Sequence, residues 1–301
     1  MTLRPANHAA APDEIQAILE FVRTARGFDA AGYCLAVLAT CVQSRLAATG
    51  VAGDGEYLRL LATAPAELDL LVAALTIKFS SFFRDPLAFD YLHESLLPAL
   101  LTEKAAAGDG GLRVWSAGCA HGEEPYSLAI LLHDLARHYP AAAEAILFAT
   151  DRDEPALALA RTAIYPAASL ANVRHGLLAT AFAPEGESFR VLPAIAGRVR
   201  FSVHDLLNRR SAAPAESVFG SFDLILCRNV LIYFEPSYQS FICEQLYRAL
   251  AAGGCLLLGR TETLPSPWSR RLRRVTDCCA LYRKSERTRA VTENAGGGVT
   301  P

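Results

Sequence analysis

The chain has 301 residues, with 29 Lys and Arg against 31 Asp and Glu, a formal net charge of −2 and 52% hydrophobic residues. That is long and apolar enough for two domains or one large one, and the balance supplies no basic field for nucleic acid. One of the longest uncharged stretches, Ala30 to Ser44, falls short of the roughly 18 residues that suggest a membrane span. Met1 to Pro12 lacks the cationic start and apolar run of a signal peptide. A cytoplasmic protein without membrane insertion is expected. None of the eight cysteines forms a C-x-x-C pair, so they read as small core hydrophobes in a reducing cytosol, and no metal site is expected.

In chain order, Ile15, Ile18, Leu19 and Val22 lie on one helical face, and Leu35, Leu38 and Val42 on a second. Tyr57, Leu60 and Leu61 mark a third, and Leu68, Leu71, Val72 and Leu75 a fourth. Residues 1–75 are therefore predicted to be a small helical domain. Residues 76–111 read as a connector, with a helix around Phe89, Leu92 and Leu96 and a loose Gly108 to Gly111 loop. From 112 to 284 the rhythm changes. Strands are predicted at Arg113 to Ala117, Ala145 to Thr150, Val199 to Val203, Phe222 to Cys227, Cys255 to Gly259 and Val275 to Tyr282. Helices are predicted at Pro125 to Tyr139, Leu157 to Thr162, and Tyr238 to Leu250, the last closed by Gly253 and Gly254. Repeated βα units imply an α/β, doubly wound, largely parallel sheet. Residues 165–198 break the rhythm and read as a small insertion, and the Gly-rich tail 285–301 reads as disordered.

Four blocks carry chemistry. In Arg113 to Tyr126, Gly118 and Gly122 let backbone approach a ligand at the end of a strand. The spacing is not G-x-G-x-x-G. Glu123 and Glu124 at the helix start suit either a cationic ligand or an ordinary acidic first turn. Asp151 stands at the end of the second strand, where an acid holds ribose hydroxyls or caps a helix. Arg228, Asn229 and Tyr233 follow a buried strand, as site residues or as polarity where the core ends. In Phe79 to Pro86, Arg84 among aromatics is a snorkelling or ion-paired residue, or a carboxylate clamp.

Taken together, the segments FFRDP, RVWSAGCAHGEEPYSLAILL, ATDRDEPALALARTAIYP, FDLILCRNVLIYF and GGCLLLGRTETL resemble the CheR-type chemotaxis protein-glutamate O-methyltransferases, over roughly Asp13 to Lys284. The resemblance implies a Rossmann-like methyltransferase sheet, a helical N-terminal domain and a small inserted β-subdomain. It implies S-adenosylmethionine as cofactor, S-adenosylhomocysteine as product, no metal, and a chemoreceptor-like protein substrate docking on a monomer. Lys78, Ser80, Arg84, Gly118, Glu123, Asp151, Asp205, Leu206, Arg228 and Asn229 would line the cofactor pocket. Arg84 and Tyr233 would flank the reacting centre. Glu123 would face the cofactor's charged methionine end, and Asp151 would hold its ribose.

Two departures stand out. Lys78 and Asp205 occupy places where such proteins often have Asn. Tyr33 to Arg45 keeps only Arg45 where such proteins carry several cations facing an acidic receptor helix. A cofactor-binding signalling module of weak activity, or a methyltransferase for a non-receptor substrate, therefore stand as alternatives.

Overall fold

The computed structural model describes residues 12–76, 80–108, 110–217 and 221–285. The expectations for Lys78, for the tail beyond Ser285 and for Met1 to Ala11 fall outside them.

Four helices build the N-terminal domain: α1 (Pro12–Arg26), α2 (Leu35–Thr49), α3 (Asp54–Thr63) and α4 (Pro65–Leu75). Ile18, Val22, Leu38, Val42, Tyr57, Leu61 and Leu71 meet at its centre. The same faces were legible from apolar spacing. Gly50 ends α2 with φ +72°, and Pro65 opens α4 where its missing N–H is harmless. A polar clip fixes the bundle. Tyr57 donates from its hydroxyl to Glu67 at 2.7 Å, and Arg45 pairs with the same carboxylate at 2.6 Å.

The predicted helix around Phe89 is a longer run. It comprises α5 (Pro86–Tyr91), a π-helical turn (Leu92–Leu96) and α6 (Leu97–Ala107). Pro98 cannot donate to the carbonyl four residues back, and the ladder widens there: Leu97 N–H reaches Leu92 O.

The main sheet uses β1 (Arg113–Ala117), β2 (Ile146–Asp151), β6 (Val199–Val203), β7 (Phe222–Cys227), β8 (Leu250–Leu258), β9 (Leu272–Arg274) and β10 (Leu281–Lys284), in the order β6-β2-β1-β7-β8-β10-β9. The first five are parallel; β10 is antiparallel to β8 and β9. Helices α7 (Glu123–Leu135), α8 (Glu154–Thr162) and α11 (Pro236–Ala249) cross between strands, and the four-residue α12 (Trp268–Arg271) precedes β9. Alternation puts Val114, Leu147 and Leu224 on one face and Trp115, Phe148 and Ile225 on the other, all buried. Because β1 pairs with β2 on one side and β7 on the other, the strand order reverses between β1 and β7. That switch opens a crevice at their carboxyl ends.

The insertion carries β3 (Ile164–Pro166), α9 (His175–Ala181), β4 (Phe182–Glu185), β5 (Ser188–Val191) and α10 (Pro193–Ala196). Its strands form an antiparallel sheet ordered β3-β5-β4.

Three expectations are corrected in detail. The helix predicted from Pro125 starts at Glu123, on Gly122 with φ +93°. Gly253 and Gly254 do not end a helix; they sit inside β8, where the pairing with β7 slips between Phe222 and Leu224. A Cβ on Gly254 would lie 2.8 Å from Phe222 O, so the bulge needs glycine. The single strand predicted over Val275 to Tyr282 is instead a turn over 275–280 that leads into β10 at Leu281, tied by Val275 N–H to Leu281 O at 2.9 Å.

Candidate active site

A cleft of about 1020 Å³, counted to its open mouth, lies at the carboxyl ends of β1, β2, β6 and β7. Its floor is backbone. Gly118 has φ +78°, and a Cβ there would lie 2.6 Å from Val230 Cγ2. The N–H groups of Gly118 and Cys119 donate to Thr150 O at 2.8 and 2.9 Å. Asp151 then accepts from Ala120 N–H at 2.9 Å and Asp153 N–H at 3.0 Å. One carboxyl thus joins the β1–α7 loop to the β2–α8 loop. Asp153, not Asp151, caps α8, accepting from Ala156 N–H at 3.0 Å, which leaves the capping alternative for Asp151 without support.

The structure brings Ser80, Arg84, Gly118, Asp151, Asp205, Leu206, Arg228, Asn229 and Tyr233 to this one cleft. Glu123 is buried and is not among the residues that line the cleft. Burial pushes its carboxyl above the usual range, and its Oε2 has no hydrogen-bond partner among the described residues. Lys78 lies outside the described residues.

Arg84 sits on a contorted turn. Phe83 and Asp85 on either side of it have φ +50° and +66°, conformations that only firm surroundings hold in non-glycine residues. Phe83 N–H donates to Ser127 Oγ at 2.9 Å, and Arg84 O accepts from Arg228 at 2.7 Å. Arg228 is a wall residue whose guanidinium is already engaged. It also donates to Glu124 at 3.2 Å and lies 3.7 Å from Asp85. Glu124 in turn accepts from Ser116 at 2.8 Å. Burial raises the Glu124 carboxyl, with Arg228 and Ser116 opposing. Tyr233 is pushed above its ordinary value by burial, partly offset by the nearby Arg84 guanidinium. Arg84 and Tyr233 both line the cleft.

Sequence reasoning missed Glu262. It is buried, and it accepts from the N–H groups of Asn229 and Gly259, each at 2.7 Å, of Val230 at 2.9 Å and of Ile232 at 3.3 Å. This holds the Arg228 to Tyr233 loop in shape, including Asn229 at φ +58°. The signal was a lone acid in the GRTETL segment. Glu124, Arg152, His204 and Tyr33 also line the cleft. Tyr33 comes from the linker before α2, a reach between distant segments that one-dimensional patterns do not register.

Among the described residues no three His, Cys, Asp or Glu side chains converge to hold a metal ion, and no single helix is long and apolar enough to cross a membrane.

The model for the CheR methyltransferase SAM binding domain matches residues 78–276, and that for the CheR methyltransferase all-alpha domain matches residues 13–76. A chemotaxis protein methyltransferase of Listeria monocytogenes is 34% identical over 71% of this chain and 76% of its own length. One of Salmonella typhimurium is 34% identical over 72% of each. One of Borreliella burgdorferi is 27% identical over 84% and 88%.

Proposed function

The chain belongs to the CheR methyltransferase family, and on that premise we propose that it methylates glutamate side chains of a chemoreceptor-like signalling protein. Its donor is S-adenosylmethionine, which supplies a methyl group on a cationic sulfur. The cleft suits such a group. Asp151 and Asp205 stand on its wall, and glycine lets the floor approach closely.

The observation that carries the reading is Arg84 beside Tyr233 at the same cleft. A glutamate carboxylate, with a pKa near about 4.3, is ionised at neutral pH and needs no base. Arg84 orients that carboxylate by a charge-assisted pair, and Tyr233, kept protonated, donates a hydrogen bond. Arg228 balances Glu124 and Asp85, which would otherwise repel the incoming anion. A carboxylate oxygen forms the new bond to the methyl carbon, the carbon–sulfur bond breaks, and sulfur keeps the electron pair. The products are the methyl ester and S-adenosylhomocysteine. Radiolabelled methyl transfer to cytosolic and membrane extracts tests this; label that resists mild base would rule out a carboxyl ester.

One observation favours a non-receptor substrate. The outer face of α2 shows Ala36, Thr40, Ser44, Ala47 and Ala48, all uncharged, and Arg45 is held by Glu67.

A further inference from the structure

We propose that the linker between α1 and α2 is part of the cofactor site, with Tyr33 and Arg152 forming a clasp over the nucleoside end of S-adenosylmethionine. This rests on the methyltransferase reading above.

Arg152 directly follows Asp151 at the end of β2 and lines the same cleft. Its guanidinium donates to the Tyr33 hydroxyl oxygen at 2.7 Å. It also lies 5.1 Å from the ring centre of Phe28 and 5.5 Å from that of Tyr33. Both distances are within the range of a cation–π contact. The Tyr33 ring packs 4.7 Å from Phe234, another residue of the cleft.

The backbone around Tyr33 is fixed just as firmly. Cys34 N–H donates to Tyr233 O at 2.8 Å, and Glu235 N–H to Gly32 O at 2.9 Å. Gly32 has φ +85°, and a Cβ there would fall 2.6 Å from Tyr238 Cδ1. One short segment is therefore anchored on the loop carrying Tyr233 and on the strand end carrying Asp151. Its neighbours Leu75 and Thr76 at the end of α4 reach the same cleft.

Acids at the end of the second strand hold ribose in sheets of this type. Tyr33 and Arg152 stand at that end, beside Asp151, His204 and Asp205. A contact serving only to join the domains has no need to line the cleft. Placed here, it makes docking of the N-terminal helices and cofactor binding one equilibrium: ligand that binds the docked form stabilises it by mass action, and a form only partly docked binds with reduced apparent affinity.

The test uses the full chain and S-adenosylhomocysteine. Calorimetric titration of the native chain, Tyr33→Phe, Tyr33→Ala and Arg152→Ala is paired with backbone hydrogen exchange over residues 28–35, with and without ligand. The two alanine variants should bind about tenfold or more weakly, and Tyr33→Phe, which loses only the accepted hydrogen bond, by less. Ligand should slow exchange over 28–35 in the native chain. Native affinity in folded alanine variants, or exchange over 28–35 indifferent to ligand, overturns the clasp and leaves the methyltransferase reading standing. A native chain that binds no S-adenosylhomocysteine overturns both. If the alanine variants do not fold, the native exchange decides.

Discussion

Arg228 follows the strand that delivers the reacting loop, yet its donors go to Glu124 and to the Arg84 carbonyl. It shapes the turn on which Arg84 sits, and Arg84 and Tyr233 both line the cleft. We expect Arg84→Ala and Tyr233→Phe to lower methyl-transfer turnover more than they lower S-adenosylhomocysteine affinity by calorimetry, because alignment at the reacting atoms acts on the transition state. Turnover should also be flat from about pH 6 to 9. The substrate carboxylate is ionised throughout, near pKa about 4.3. Tyr233 is raised above its ordinary value of 10.0 by burial, so its donating form persists and is lost only as pH climbs past that raised value. A limb near pH 7 in turnover against pH would reveal a general base and contradict this. Glu262 supports the same loop from beneath. In Glu262→Gln one oxygen becomes an N–H donor turned toward other donors. Each buried N–H left unpaired costs about 1–3 kcal/mol. Denaturant unfolding should show that loss, together with slower turnover.

At the scale of elements, the loop between β1 and α7 is where backbone geometry decides function. We expect Gly118→Ala to cost about 1–2 kcal/mol from the left-handed backbone alone. The contact with Val230 at 2.6 Å should add to that, displacing the Asn229 loop and weakening S-adenosylhomocysteine binding; thermal melts and calorimetry check both. This loop was legible in the sequence because glycines after an apolar strand have few other uses. The parallel strands were legible too, since burial on both faces writes a continuous apolar run, as in Leu224–Cys227 of β7. The C-terminal part was not. Gly253–Gly254 after a helix has the same local chemistry as a helix stop, and only the slipped pairing of β8 with β7 makes it a bulge. Likewise the β9–β10 hairpin has a turn containing Val275 and Cys279, apolar enough to pass for strand.

Over the whole molecule, the residues close along the chain to a strand end were foreseeable, and those delivered by docking of the helical domain were not. The same docking decides what α2 can offer a partner. The family resemblance implies that Cys34, Leu35, Thr40, Cys41 and Ser44 stand where such proteins carry a basic surface. The structure divides them: Cys41 is buried in the helical core, whereas Thr40 and Ser44 are exposed. Arg45, the remaining cation, is drawn inward onto Glu67. Burial disfavours that carboxylate, but the Arg45 and Tyr57 hydrogen bonds outweigh it and lower its pKa. The outer face of α2 thus carries no field to steer an acidic helix, and steering is what makes encounter fast and salt-sensitive. We expect the native chain to methylate a purified chemoreceptor signalling domain weakly, with little change between about 50 and 300 mM salt, over which the screening length shrinks from more than about 10 Å to less than that. A variant with Lys or Arg at the exposed positions, Ala36→Lys, Thr40→Arg, Ser44→Arg and Ala47→Arg, should methylate it faster, and the gain should fade as salt rises. Cys41 is left untouched because a guanidinium there would break the core. Fast, salt-sensitive methylation by the native chain would show that another face recruits the receptor. A gain confined to the basic variant would show that α2 is the docking face and that its charge sets the encounter rate.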